Sequence, residues 1–241
     1  MQRVMGAMRR AITDYGMIAQ GDHIAVGVSG GKDSLALLVG LCRLREFCRI
    51  DYKLTALSID PCFGGKHADY DAVAALCGQL GVPLTIRRTN LWDILFVQRK
   101  EPHPCSLCAR MRRGMLHDMA REAGCNKIAL GHHKDDAVAT FLMNLLYEGR
   151  IGCFSPVSYL SRKELTMIRP LCLCRERDII AAAKKAALPI MAKSCPVDGH
   201  TARQKTTDWL RTLEKGDYPG LGKRIFGAMQ RGKISGWGGT K

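Results

Sequence analysis

A six-residue turn, Ser29-Gly30-Gly31-Lys32-Asp33-Ser34, constrains this chain more than any other feature. The apolar run before it, His23 to Val28, reads as a buried strand, and Leu35 to Cys42 after it reads as a buried helix. A strand, a glycine turn and a helix N-terminus together make an anion site. Gly30 and Gly31 let the backbone approach a phosphate closely. The free N–H groups of the first helical turn point at it, and the helix dipole favours negative charge there. Lys32 adds a point charge, and Ser29 and Ser34 add hydroxyl donors. The turn is not a Walker A loop: Val26 stands where that pattern needs glycine, and Asp33 where it needs serine or threonine.

The rest of the chain alternates in the same way. Lys53 to Ile59, Leu84 to Arg87, Lys127 to Leu130 and Met167 to Arg169 read as further strands. Between them, Ala68 to Leu80, Leu107 to Ala123, Ala137 to Leu146 and Arg175 to Ala187 read as helices, with a short one over Asn90 to Gln98. An amphipathic helix over Arg3 to Ile18 precedes the first strand. Strands separated by helices predict an α/β fold, a Rossmann-like parallel sheet with helices on both faces. Ligands bind such sheets beyond the C-terminal strand ends, so the glycine turn and Gly131-His132 are expected to share a pocket. After Met191 the pattern weakens. Residues 1–190 are read as the nucleotide-binding and catalytic domain. Residues 191–241 are read as a helical extension, with helices over Thr201 to Leu213 and Pro219 to Met229 and a mobile, basic, glycine-rich tail from Arg231.

Among 241 residues, 37 Lys+Arg against 22 Asp+Glu leave a charge of +15, which favours a polyanion partner. Only 6% are aromatic, too few for extensive base-stacking platforms. No apolar run has the length of a membrane span and no signal peptide is visible, so a cytoplasmic protein is expected. The eleven cysteines then read mostly as core fillers rather than disulfides.

Cys105-Ser106-Leu107-Cys108 is different, because it opens a helix followed by Arg110, Arg112 and Arg113, a setting expected to lower thiol pKa. Cys195 lies in a loop and is a candidate partner. Cys172 and Cys174, in an apolar segment, are the rival. Three thiolates suffice for an iron–sulfur cluster with one iron free, or for zinc with a fourth ligand from His103, His117, His132, His133 or His200. Arg110, Arg113, His117 and Arg121 recur at helical spacing opposite Met111, Met115 and Met119, a face suited to an RNA backbone or simply to water. In Gly131-His132-His133-Lys134-Asp135-Asp136, His132 is a hydrogen-bonding or acid/base candidate. The two carboxylates either complement a helix dipole or hold Mg²⁺ against phosphates.

SGGKDS resembles the PP-loop of the ATP-pyrophosphatase superfamily, the adenine nucleotide alpha hydrolase-like enzymes. The order SGGKDS, CSLCARMRRG, IALGHHKDD, IRPL and CRERDI is similar to tRNA 2-thiocytidine biosynthesis proteins of the TtcA type, over most of residues 1–190. That resemblance implies ATP, Mg²⁺ and a [4Fe–4S] cluster on Cys105, Cys108 and Cys195. It implies thiolation of C2 of an anticodon-loop cytidine, position 32, of tRNA. It further implies a sulfur donor such as a cysteine desulfurase, and a homodimer. Asp136 is expected as an essential carboxylate, assisted by Asp33 and Asp135, with Arg112 and Arg169 on phosphates or RNA. Where the family has a second cysteine pair, this chain has Cys195-Pro196-Val197-Asp198-Gly199. Competing readings are a PP-loop thiolase or desulfidase acting on another tRNA base, and a zinc-stapled, nucleotide-responsive RNA-binding protein.

Overall fold

The computed structural model describes residues 1–47, 50–102, 104–192, 195 and 201–238. Strands β1 (His23–Gly27), β2 (Lys53–Asp60), β3 (Leu84–Arg88), β4 (Lys127–Ala129), β5 (Val157–Leu160) and β6 (Leu165–Ile168) form one sheet in the order β3-β2-β1-β4-β6-β5. All neighbours are parallel except β5 and β6. The sheet is thus mixed. The antiparallel edge strand β5 is absent from the expectation above, because the 3₁₀ turn Ser161–Lys163 that joins it to β6 carries neither Gly nor Asn-Gly.

Alternation along the strands explains the two layers. Ile24 and Val26 of β1 and Leu54 and Ala56 of β2 pack with helices α1 (Gln2–Asp14), α2 (Lys32–Phe47) and α6 (Glu176–Lys185). Ala25, Leu57 and Ile59 point to the other face and pack with Met119 and Ala120 of α4 (Pro104–Glu122). Being covered on both faces, β1 reads as a continuous apolar run. Helix α3 (Asp71–Gln79) covers β2 and β3 through Val73 and Cys77. Residues Asp93–Gln98 form a wide π-type turn rather than an α-helix.

From β1 the sheet grows one way to β2 and β3 and the other way to β4. The crevice at this switch of direction lies between the loops that leave β1 and β4. Helix α5 (Lys134–Glu148) starts directly after the second loop. Helices α7 (Ala202–Lys215) and α8 (Leu221–Arg231) pack on α5, and Leu210, Phe226 and Met229 join the larger core.

The tail departs from expectation. After α8 the chain makes a 3₁₀ turn at Ile234–Gly236 and buries Trp237 completely. Its indole Nε1 donates to Phe154 O at 2.9 Å, and the Tyr15 hydroxyl donates to Trp237 O at 3.0 Å. The Tyr15, Phe154 and Phe226 rings surround it at 6.3, 5.8 and 5.1 Å. One large ring overrides a glycine-rich composition, because its burial offsets the ordering of the few residues around it. Residues 239–241 lie outside the described part. Among the described residues, no helix is long and apolar enough to cross a membrane.

Candidate active site

The glycine turn is held by its own hydroxyls. Ser34 Oγ donates to Gly31 O at 2.9 Å and accepts the Ser29 N–H at 3.1 Å. Gly30 has φ +77°, the left-handed region that glycine enters without strain. A Cβ built there would lie 2.2 Å from the Met191 sulfur, and the Met191 N–H donates to Gly30 O at 3.0 Å. Met191 therefore lies against the turn. The two crevice loops touch: a Cβ on Gly131 would meet the Asp33 and Ser34 backbone at 3.2 Å.

A cavity of about 400 Å³ opens at the strand ends. Ser29, Asp33 and Ser34 form one wall, Gly131 and His132 another, and Arg112 and Arg113 of α4 a third. Leu57, Ile59, Leu116 and Leu130 make its apolar floor. The size and the mix of an apolar slot with a few polar groups suit a nucleotide. Leu57 and Ile59 were legible only through strand period, as alternate residues near the end of β2.

The carboxylates are placed differently from one another. Asp33 lines the cavity, and its buried Oδ1 has no hydrogen-bond partner among the described residues. Lys32 bridges Asp33 at 2.9 Å and Glu176 at 3.1 Å, and Arg211 holds Glu176 at 2.9 Å. Asp136 closes a capping box with His133 at the start of α5 and pairs with Arg203 at 3.2 Å. Asp135 accepts the Glu176 N–H at 2.8 Å and faces solvent. Asp135 and Asp136 do not line the cavity. Glu176, Arg203 and Arg211 have no local sequence signal, because only the packing of α6 and α7 brings Glu176 to Lys32, Arg211 to Glu176 and Arg203 to Asp136.

His132 lines the cavity with its Nδ1 unpartnered. Burial first, then the Arg169 charge, pushes its pKa down to about 4, so it is a neutral imidazole at pH 7. Unfolding restores an ordinary histidine, which binds a proton more readily below pH 6.5. The contribution of His132 to stability is therefore complete above about pH 6.5 and is lost as pH falls toward 4. Urea melts between pH 7 and 4.5 are expected to show a shallower decline for His132→Gln than for the parent. Parallel declines would refute the assignment.

On α4, Cys105 is exposed and Cys108 half-buried, one residue before Ala109 of the cavity wall. Both pKa values are raised, not lowered as expected. Burial is the first cause and a neighbouring Cys195 the next for Cys105. For Cys108 burial again comes first, the Arg112 charge opposes it, and Cys195 and then Cys105 add to it. Cys195 is thus within electrostatic reach of both thiols. Ionised together, such thiols would repel one another unless a cation stood among them. The rivals Cys172 and Cys174 are buried in the core, where their thiols are pushed strongly up. His103 and His200 lie outside the described residues.

The basic residues are placed differently from one another. Arg169 is buried: it donates to Ser155 O and sits over the Phe154 ring at 4.9 Å, while its Nε has no hydrogen-bond partner among the described residues. On the helical face His117 is buried, Arg110 and Arg113 are exposed, and Arg121, also exposed, faces Glu164 at 3.7 Å. A helix packed on a sheet hides more than its apolar stripe, and charges inside the structure find local partners.

Comparison with known proteins agrees with this architecture. A PP-loop domain matches residues 4–198. The tRNA-cytidine(32) 2-sulfurtransferase of Geobacter sulfurreducens is 37% identical over 231 residues, covering 95% of this chain and 89% of that one. That of Syntrophotalea carbinolica is 38% identical, covering 91% and 85%. Among solved structures, the U34-tRNA thiolase NcsA from Methanococcus maripaludis with its [4Fe-4S] cluster superposes with a TM-score of 0.76 at 24% identity, covering 94% of this chain and 77% of that one. At that identity the likeness speaks for the fold.

Proposed function

Because the chain belongs to the PP-loop domain family and aligns along nearly its whole length with tRNA-cytidine(32) 2-sulfurtransferases, we propose that it is an ATP-dependent tRNA sulfurtransferase. Its substrate is the cytidine at position 32 of the anticodon loop. One observation carries the reading: the thiol-bearing helix α4 and the glycine turn wall the same cavity, and Cys195 acts electrostatically on both thiols of that helix.

The chemistry follows from a poor leaving group. The cytosine C2 oxygen attacks the α-phosphorus of ATP, the bond to the β-phosphate oxygen breaks, and pyrophosphate departs. Sulfide then attacks C2, and the oxygen leaves with AMP, so sulfur replaces oxygen without net oxidation. The backbone N–H groups of Gly30 to Lys32 and the Lys32 ammonium stabilise the polyphosphate. Asp33, with its unpartnered oxygen, is the carboxylate that would hold Mg²⁺. Asp136 fixes the start of α5 and the loop that carries His132. Neutral His132 and Arg112 orient the base or the leaving phosphate. Cys105, Cys108 and Cys195 would hold the [4Fe–4S] cluster, whose open iron supplies a place for sulfide. A cysteine desulfurase-type donor and a homodimeric state belong to this proposal.

The tRNA is held electrostatically. Lys134, Lys223, Arg224 and Arg231 line a groove of about 520 Å³ beside α8. Lys134 lies over the Phe226 ring at 4.7 Å. Its pKa is lowered, first by burial; the Asp135 charge opposes this, and the Arg175, Lys223 and Arg10 charges add to it. Such crowding of like charge suits a phosphate backbone. Each phosphate contact contributes roughly −0.7 to −0.9 to the slope of log K against log salt. Lys223→Gln combined with Arg231→Gln is expected to reduce that slope by about 1.5 in filter-binding assays with tRNA. An unchanged slope would place the RNA elsewhere.

Function is tested by anaerobic reconstitution with ATP, Mg²⁺, sulfide and unmodified tRNA, followed by nucleoside mass spectrometry. The expected product is 2-thiocytidine. Thiouridine, or no thiolated base, would overturn the reading.

A further inference from the structure

At the end of β2 the chain turns through Asp60, Cys62 and His67. One ligand atom from each lies within 4.8 Å of the other two. Cys62 Sγ is 3.3 Å from His67 Nδ1, which is 3.9 Å from Asp60 Oδ2. We propose that these three residues form a site for a divalent transition metal of the zinc class, distinct from the thiols of α4 and independent of the reaction assigned above.

The loop is built around the carboxylate. Asp60 is buried; its Oδ1 accepts the Cys62 N–H at 2.9 Å and its Oδ2 accepts the Ala68 N–H at 3.0 Å. Those bonds use about two of its roughly four lone-pair directions and leave the others for a cation. They also pin the backbone on both sides of the turn, so the thiol and the imidazole return to the same carboxylate. Cys62 has φ +52°, a conformation that glycine serves better and that a side chain must justify. The thiol is half-buried and the imidazole largely exposed, so a metal can enter from solvent.

The donor set selects the ion. One thiolate, one imidazole and one carboxylate are borderline ligands that suit Zn²⁺ or Co²⁺ and not Mg²⁺ or Ca²⁺. Bonds of about 2.0–2.3 Å set tetrahedral ligand atoms roughly 3.3–3.8 Å apart, close to the separations observed here. Three protein ligands leave a fourth position for water or an incoming ligand. The site begins at the last residue of β2, one position beyond Ile59 of the cavity lining. The Tyr70 hydroxyl feels the charges of Asp60, Cys62 and Arg112 together.

The test uses the full chain carrying Cys105→Ser, Cys108→Ser and Cys195→Ser, stripped of metal without oxygen and titrated with Co²⁺. The expected result is one Co²⁺ per chain, with a thiolate-to-cobalt charge-transfer band and the intense visible bands of four-coordinate cobalt, both displaced by Zn²⁺. Adding Cys62→Gly, which suits the left-handed backbone and so preserves the turn, removes the charge-transfer band. It weakens binding by more than about 100-fold, and His67→Ala does likewise. Absence of the band in the cysteine-substituted chain, or its survival in Cys62→Gly with unchanged circular dichroism, overturns the proposal.

Discussion

Cys108→Ser is expected to reduce tRNA thiolation to background, a loss of more than about 10³-fold, while ATP affinity stays within about two-fold. The asymmetry follows from placement. The nucleotide cavity is walled by Ser29, Asp33, Gly131 and Arg112, and Cys108 is not part of the wall. The thiol's importance lies in its company. Behind burial, the Cys195 thiol adds to the raising of both the Cys105 and Cys108 pKa values, so the pair is unfavourable as free thiolates and would be favourable around a cluster. Serine keeps the shape and removes the soft ligand. Anaerobically purified variant should lack the brown colour of the parent, and its tRNA should contain no 2-thiocytidine. A variant that still thiolates would sink the assignment of the sulfur centre, whereas one that loses ATP binding would show that α4 had shifted.

Trp237→Ala is expected to cost about 3–5 kcal/mol of stability, the range for removing a fully buried aromatic ring. For a chain of 241 residues this corresponds to a fall in Tm of roughly 10 °C. The loss includes the ring contacts with Tyr15, Phe154 and Phe226 and the indole bond to Phe154 O. Activity should suffer as well. Phe154 touches the His132 ring at 5.1 Å and lies under Arg169, so the tail supports one wall of the site through a single aromatic layer. Trp237→Phe keeps most of the packing and loses one hydrogen bond, at about 1 kcal/mol. Thermal unfolding of the three proteins decides the matter: equal midpoints would mean that the tail is not seated.

Local signals proved strong wherever chemistry and backbone geometry coincide within a few residues. Gly30 needs its positive φ, Ser34 caps the turn from within, and the strand before it is apolar on both faces. All three are visible in a dozen letters. Signals that depend on a distant partner were weak or misleading. Arg169 looked exposed to phosphate and is instead buried against Ser155 and Phe154. The thiol pair looked activated by nearby arginines and proved to be dominated by burial. Edge strand β5 has only four residues and no distinctive turn, so its pairing with β6 was invisible until the sheet formed.

By itself, the order of residues determined that a strand, glycine turn and helix would build an anion site, and that repeated alternation would close a largely parallel sheet around it. These are short-range matters of backbone freedom and side-chain period. Only the tertiary structure decided that Cys195 comes within electrostatic reach of Cys105 and Cys108, that Glu176 reaches Lys32 of the turn while Arg211 pairs with Glu176 and Arg203 with Asp136, and that Trp237 is buried against Phe154. Those meetings join residues tens to more than a hundred positions apart, and nothing in either partner's neighbourhood specifies the other. They follow from which faces must be buried once the sheet exists, because the apolar sides of α5, α7 and α8 have no other surface to cover.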